Sequence, residues 1–162
     1  MYKRQGLSTA LQLAARGQKV TVLEKGELAS GSTGQASGLL GQLRSNAEAI
    51  RMLVDSMAIL RELQERDGAR VFTQSGSVRV AQNEARAAEI RRGIEIGQAA
   101  GLEIYQIDAA DLKRRMSYVE TDDVIAACYC PTDGYLSPPE LAQLYIRVAR
   151  RNGVDLLSLI HI

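Results

Sequence analysis

The chain has 162 residues, with 20 basic and 19 acidic side chains, one histidine and two cysteines. This near-neutral balance gives no electrostatic basis for binding nucleic acid or an anionic membrane surface. No apolar run approaches the ~20 residues of a membrane span, and the length suits about one domain.

The two ends of the chain are predicted not to be native. Residues 157–161 can be encoded by CTG TCT CTT ATA CAC, and the reverse complement of that string encodes residues 1–5 when GTG is the start codon. This inverted pair resembles the end of a transposon-type sequencing adapter. We therefore expect residues 6–156 to be an internal piece of a longer protein. Without the ends, basic residues fall to 18 against 19 acidic ones, and His161 is lost.

A helix followed at once by a strand opens the native part. Apolar spacing predicts a helix from Gly6 to a cap at Gly17, and residues 19–23 form an apolar strand. This order is the second half of a βαβ unit, in which the last glycine of G-x-G-x-x-G permits close packing of helix on strand. Gly6 fits that glycine, and Glu24 fits the acidic residue that binds a ribose hydroxyl. The alternative is an ordinary helix glycine and a surface Glu-Lys pair.

A loop of small residues follows the strand, from Gly31 to Leu39. Six of its nine residues are glycine or carry a hydroxyl: Gly31, Ser32, Thr33, Gly34, Ser37 and Gly38. Backbone N–H groups in such a loop suit a pyrophosphate, which favours a dinucleotide site. The alternative is a flexible linker, although amphipathic structure resumes directly after the loop.

The rest of the chain alternates between helices and strands. Asn46 is predicted to cap a long helix whose apolar stripe belongs to the core. Two strands joined around Gly76 follow, with Thr73, Gln74 and Ser75 in the turn. The further predictions are a helix at 83–100, a strand at 102–107, a helix at 108–115, a strand at 124–130, a helix at 138–152 and a strand from residue 154. Ser137 caps the last helix, with proline at its first position.

The two cysteines, Cys128 and Cys130, fall on one face of a predicted strand. With no native histidine, they cannot assemble a zinc site within this chain, so we predict ordinary buried thiols and no metal. Two cysteines in 162 residues also favour a reducing compartment, and we expect a cytoplasmic protein.

Most charged clusters are predicted to be solvated faces. This applies to the arginines and glutamates of residues 84–95, and to the basic run of residues 113–115, for which nucleic-acid binding is the weaker alternative. Arg44 follows the small-residue loop closely. An ordinary surface arginine is the favoured interpretation, and a contact with a substrate carboxylate is the alternative.

Several segments together resemble the D-amino acid oxidase-like FAD-dependent oxidoreductases, and within them the sarcosine and dimethylglycine dehydrogenase or oxidase group. The matching segments are Gly6-Leu-Ser-Thr-Ala, Val20-Thr-Val-Leu-Glu-Lys, Gly31-Ser-Thr-Gly-Gln-Ala-Ser-Gly-Leu and the P-x-D-G-x-x-x-P-x-x-L pattern of residues 131–141. The resemblance implies that FAD binds at Gly6, Glu24, Lys25, Gly31, Ser32, Thr33, Gln35, Ser37, Gly38 and Leu39. In this picture Glu24 holds the adenosine ribose, and the loop wraps the pyrophosphate and approaches the isoalloxazine.

One loop residue departs from the dehydrogenases of this group. Their loop resembles G-S-T-x-H-A-x-G-L, with the histidine bonded covalently to the flavin, whereas Gln35 stands in that place here. A carboxamide has no comparably nucleophilic nitrogen. We therefore predict non-covalent FAD, with Gln35 available to donate or accept a hydrogen bond.

The predicted fold class is α/β: an incomplete FAD/NAD(P)-binding Rossmann-like domain, with its first strand missing, and an inserted α+β part of the substrate domain. The predicted boundaries are 6–45 for the FAD-binding part, 46–136 for elements leading into the substrate domain and 137–156 for the return. Residues 1–5 and 157–162 are assigned to the adapter.

The resemblance implies a parent enzyme that oxidises the C–N bond of an amino acid or an N-methylated glycine by hydride transfer to flavin. The expected partner is a small amine or amino acid, no catalytic residue is assigned, and the piece alone is expected to be inactive. The alternatives are a related flavoenzyme acting on a hydroxy acid, a glycerol phosphate or a D-amino acid, and a non-catalytic nucleotide-binding domain. A Rossmann NAD enzyme is less consistent with the long loop after Glu24.

Overall fold

The computed structural model describes residues 4–24 and 36–158. The helices are α1 (Arg4–Ala14), α2 (Ala47–Asp67), α3 (Glu84–Ala99), α4 (Ala109–Arg115) and α5 (Pro138–Arg151). The strands are β1 (Thr21–Glu24), β2 (Leu39–Leu40), β3 (Phe72–Thr73), β4 (Ser77–Ala81), β5 (Tyr105–Ile107), β6 (Ala126–Cys130), β7 (Gly134–Leu136) and β8 (Asp155–Ser158). No helix in these described ranges is long and apolar enough to cross a membrane.

The chain divides into two compact units. The first comprises residues 1–39, 60–73 and 136–162, and the second comprises residues 40–59 and 74–135. The chain passes from one unit to the other within β2, α2 and β7 and at the end of β3.

The first unit contains the predicted helix-then-strand order and its returning strand. Strands β1 and β8 pair in parallel, from Thr21 opposite Asp155 to Glu24 opposite Ser158. Helix α1 packs on α5, and the buried residues Leu7 and Ile146 meet there. Parallel pairing requires a crossover between strands, which is the topology expected of a nucleotide-binding α/β layer.

Helix α5 forms as its sequence predicts. The Ser137 hydroxyl oxygen accepts a hydrogen bond from the backbone N–H of Glu140 at 3.4 Å, and Pro138 occupies the first helical position. Gly153 follows the helix with φ +76°, a conformation that glycine adopts without strain. These local signals fix where the helix begins and ends, and the strand β8 follows at once.

The second unit is a sheet covered by a helix. Strand β6 lies between β4 and β5 and pairs antiparallel with both. Helix α3 packs on this sheet around a shared apolar core. Cys128 and Cys130 lie in that core as free, buried thiols, which confirms the prediction made from their spacing.

The structure corrects the predicted arrangement around Gly76. Strand β4 pairs with β6, and the paired residues lie 45 to 53 positions apart in the chain. Strand β3 ends at Thr73, which was expected in the turn. The N–H of Gly76 donates to the carbonyl of Asp133 at 2.9 Å, so this glycine is bound to the chain that leaves β6. Before β3, the Gln64 side chain accepts from the N–H of Val71 at 2.8 Å, which ties that segment to α2.

Regular structure also extends into both ends that were predicted to be adapter-derived. Helix α1 begins at Arg4, two residues before the predicted start, and β8 continues through Leu157 to Ser158. Backbone hydrogen bonds of a helix or a strand pair do not depend on side-chain identity, so these residues can extend the elements next to them.

Candidate functional site

Glu24 ends strand β1 and is only 6% exposed. In an open α/β layer, ligands bind outside the carboxyl ends of the parallel strands, which is where Glu24 lies. A carboxylate offers only acceptor oxygens and suits the hydroxyl groups of a ribose. The position and the burial of Glu24 therefore fit the predicted nucleotide contact.

Gly6 lies near the start of α1 and is exposed. A Cβ atom at Gly6 would meet no other atom within 4 Å. The described residues therefore do not contain the tight helix-on-strand contact that this glycine was predicted to permit. The contact would need a neighbouring strand at the start of α1, and β1, which follows this helix, does not supply it.

Gly38 is the most constrained described residue of the small-residue loop. Its φ is +77°, and a Cβ atom there would overlap the carbonyl oxygen of Leu136. The carbonyl of Gly38 accepts a hydrogen bond from the N–H of Leu136 at 2.9 Å. Its neighbours Ser37 and Leu39 are exposed. Gly38 therefore anchors the end of the loop, and its two neighbours remain accessible to a ligand.

The other predicted cofactor contacts lie outside the described residues. They are Lys25, Gly31, Ser32, Thr33 and Gln35. Of the predicted set, the structure thus places Gly6, Glu24, Ser37, Gly38 and Leu39, all of which belong to the first unit.

A buried carboxylate in the second unit was not predicted as a functional residue. Asp133 is 1% exposed and accepts three hydrogen bonds. The donors are the N–H of Gln42 at 2.9 Å, the side-chain Nε2 of Gln42 at 3.0 Å and the hydroxyl of Ser77 at 2.5 Å. The only sequence signal was the Asp-Gly pair of the P-x-D-G pattern, because the partners of Asp133 are distant in sequence.

Arg44 lines an open cleft of about 710 Å³ together with Arg79, Arg86, Glu89 and Arg92. The Arg44 guanidinium donates to the carbonyl of Leu43 at 2.7 Å, and Arg86 pairs with Glu89 at 2.5 Å. The cleft is basic, but the positive charge of Arg86 is already paired with Glu89. Arg44 is exposed, as expected of a surface arginine, and its contact with a substrate carboxylate stays an untested alternative.

The basic run of residues 113–115 makes local contacts. Lys113 donates to the carbonyl of Val119 at 2.9 Å, Arg114 pairs with Asp111, and the Arg115 guanidinium lies 4.0 Å from the centre of the Tyr129 ring. All three side chains are exposed, as the prediction of a solvated face requires. Among the residues that the structure describes, no cluster of histidine, cysteine and acidic side chains could hold a metal ion.

The family described as FAD dependent oxidoreductase, DAO, matches residues 5–158 of this chain. The chain belongs to this family. It is 30% identical over 156 residues to human mitochondrial sarcosine dehydrogenase, covering 94% of this chain and 17% of that protein. It is 31% identical over 151 residues to rat mitochondrial dimethylglycine dehydrogenase, covering 92% of this chain and 18% of that protein.

A solved structure in the same family shows the same fold. The L-proline dehydrogenase of P. horikoshii superposes with a TM-score of 0.88 at 28% identity, over 94% of this chain and 40% of that one. The α/β fold class and the family resemblance predicted from sequence are thereby confirmed. The chain spans 17–18% of the length of the curated relatives named above.

The described residues fit the FAD on which this family depends. Glu24 supplies a buried carboxylate at the carboxyl end of a parallel strand, and Gly38 brings backbone to a close approach at the end of the predicted pyrophosphate loop. The described part of the chain thus contains a buried carboxylate where a ribose contact is predicted, and an ordered backbone at the end of the loop.

Proposed function

We propose that this chain carries nucleotide-binding elements of an oxidoreductase that oxidises the C–N bond of a small amine. The proposed substrates are an amino acid or an N-methylated glycine such as sarcosine or dimethylglycine. The observation that carries the proposal is Glu24, a buried carboxylate at the carboxyl end of β1, in a chain matched almost throughout by a family of FAD-dependent oxidoreductases. The names of the two mitochondrial dehydrogenases support the choice of substrate class.

The proposed roles of the chain are binding and orientation. Glu24 accepts hydrogen bonds from the adenosine ribose, and the loop from Gly31 to Leu39 surrounds the pyrophosphate with backbone N–H groups. FAD, when bound, supplies the acceptor for the hydride that leaves the substrate carbon. Gly38 fixes the exit of the loop through its bond to Leu136. No residue of this chain is assigned to proton transfer.

The experiment uses the purified full-length protein. Its visible spectrum should show bound flavin, and anaerobic addition of sarcosine or dimethylglycine should bleach that spectrum. Bleaching by a hydroxy acid, a glycerol phosphate or a D-amino acid, with no response to the amines, would overturn the substrate class. A protein that binds FAD but responds to none of these compounds would instead fit a non-catalytic nucleotide-binding domain.

We further propose that the flavin is bound non-covalently. The family resemblance implies a histidine at this loop position in the related dehydrogenases, and this chain has Gln35 there. Acid precipitation of the full-length protein should release all of its FAD into the supernatant. The matched control is a related dehydrogenase with the histidine in this loop, which should keep its flavin in the pellet. A yellow pellet from this protein would contradict the proposal.

A cytoplasmic location is also proposed, on the basis of the two free thiols. The named relatives are mitochondrial, so fractionation of the source cells is the deciding measurement. Recovery of the full-length protein in an organelle would overturn this location without affecting the proposed chemistry.

A further inference from the structure

The proposed function does not explain why Asp133 is buried. A carboxylate loses favourable hydration when it is buried, so it must be compensated by donors. Asp133 has three such donors, two of which come from Gln42. Gln42 is itself only 3% exposed, and its side-chain Nε2 also donates to the Thr132 hydroxyl at 2.8 Å. The network therefore joins the turn after β6 to the segment that follows the small-residue loop.

Gln42 lies four residues after Gly38, which is anchored separately. The Gly38 carbonyl accepts from the N–H of Leu136, and Asp133 accepts from the N–H of Gln42, both at 2.9 Å. Residues 38–42 are thus bound near each end to the P-x-D-G-x-x-x-P segment, at residues three positions apart in the chain. Two backbone anchors this close along the sequence restrict the dihedral angles of the residues between them.

The next residue, Leu43, fixes the direction in which the chain continues. Its side chain lies against Gly93 and Gly97 of α3, where added Cβ atoms would come within 3.4 and 3.5 Å of it. Its carbonyl accepts from the Arg79 guanidinium at 3.1 Å. Leu43 belongs to the buried core of the second unit. The segment is therefore held by a backbone bond at Gln42 and by packing at Leu43.

We propose that Asp133 is a positioning residue for cofactor binding. Through Gln42 it holds the segment that follows the small-residue loop, so that the end of this loop is ordered before FAD binds. This inference rests on the proposed function. Leu39 lies three residues before Gln42, and three residues span at most about 11 Å, so anchoring Gln42 limits the positions open to the loop end. A loop that is already ordered loses less conformational entropy on binding.

The test compares Asp133→Ala with Asp133→Asn in the full-length protein. Alanine removes both carboxylate oxygens, which accept the hydrogen bonds from Gln42 and Ser77. Asparagine keeps one oxygen for both Gln42 donors, and its amide N–H can donate to the Ser77 hydroxyl, so the geometry can survive. The matched control is Asp123→Asn, because Asp123 also accepts from an amide, that of Gln82 at 2.6 Å, but is exposed. The readouts are the FAD dissociation constant from flavin-fluorescence titration of apoprotein and hydrogen exchange of residues 38–43.

We expect Asp133→Ala to weaken FAD binding about tenfold or more and to accelerate exchange at residues 38–43 in the apoprotein. Asp133→Asn should remain within about 1.5-fold of the wild type, and Asp123→Asn should match the wild type. If the alanine variant does not fold, Gln42→Ala replaces it. That variant keeps the backbone N–H bond and should weaken FAD binding about threefold.

Two results would overturn the inference. One is an unchanged FAD dissociation constant in Asp133→Ala. If Asp133→Ala does not fold, the same result in Gln42→Ala overturns the inference. The other is an asparagine variant as impaired as the alanine variant, because that would show a need for charge rather than for a positioned acceptor. A wild-type protein that binds no FAD would overturn the proposed function as well, and it is recognised before any variant is compared.

Discussion

At the scale of single residues, Gly38 shows how backbone geometry can require glycine. Gly38→Ala should destabilise the full-length protein strongly, because it adds left-handed strain and an overlap with the Leu136 carbonyl. Gly17→Ala is the matched control: it lies in the same unit with φ +75°, but a Cβ there would meet nothing within 4 Å. We expect a loss of about 1 kcal/mol for the control and at least about 3 kcal/mol for Gly38→Ala in urea denaturation. Equal losses would show that the overlap has no effect.

The two cysteines provide a second prediction at this scale. Burial raises the pKa of the Cys128 thiol and raises the pKa of Cys130 to about 11. Because only the thiolate reacts quickly, both should resist alkylation by iodoacetamide at pH 8 and react after unfolding in guanidinium. Mass spectrometry of the peptide that contains them gives the extent of reaction. Labelling in the native protein as fast as in guanidinium would contradict this prediction.

Glu24 and Asp133 differ in how far sequence could reveal them. Glu24 could be proposed from its position after an apolar strand, and the structure adds that it is buried. Asp133 could not, since its bond to Gln42 joins residues 91 positions apart. No local pattern contains such a pairing. Gly6 shows the opposite limit: its sequence position fits a motif, but the described residues do not pack closely against it.

At the scale of elements, Asp67 at the end of α2 is held by two arginines of α5. Its carboxylate accepts from Arg147 at 2.7 Å and pairs with Arg151 at 2.8 Å, and its side chain is 3% exposed. The hydrogen bond from Arg147 is the main reason that the pKa of Asp67 is lowered from 3.8. A lowered folded-state pKa stabilises the protein above the unfolded value, and this contribution is lost as pH falls through the folded-state pKa.

Asp67→Asn should therefore lower the free energy of unfolding at pH 7 by about 1 kcal/mol, a modest value because both guanidinium groups are partly exposed. The difference from wild type should shrink as the pH is lowered below 4. Glu62→Gln, which removes an exposed ion pair with Arg66, is the control and should cost less than about 0.5 kcal/mol. Urea denaturation at several pH values measures both, and a pH-independent difference would contradict the assigned charge interaction.

Elements were predictable where their ends are set locally. Asn83, Asp108 and Ser137 each accept a hydrogen bond from the N–H three residues later, and such caps are readable from the sequence. Strand partners were not predictable in the same way. The pairing of β4 with β6 joins segments separated by two helices and a third strand, so a local turn signal at Gly76 gave the wrong partner.

At the scale of the whole molecule, cofactor binding and stability should be coupled. A ligand that binds only the folded state stabilises it by about 2.7 kcal/mol at a concentration 100 times its dissociation constant. FAD should therefore raise the Tm of the full-length apoprotein. FMN lacks the adenosine that Glu24 is proposed to hold, so it should raise the Tm less.

Glu24→Gln tests this coupling. An amide oxygen is a weaker acceptor for the ribose hydroxyl groups than a carboxylate, so the variant should bind FAD about tenfold more weakly and leave FMN binding unchanged. Glu48→Gln is the control, because Glu48 is an exposed residue in the first turn of α2. Thermal unfolding of the apoprotein with each flavin gives the comparison. Because the predicted loss is confined to the ligand that carries adenosine, a simple loss of stability cannot imitate it. An equal loss with FAD and FMN would place Glu24 away from the ribose and leave its burial as a structural feature of β1.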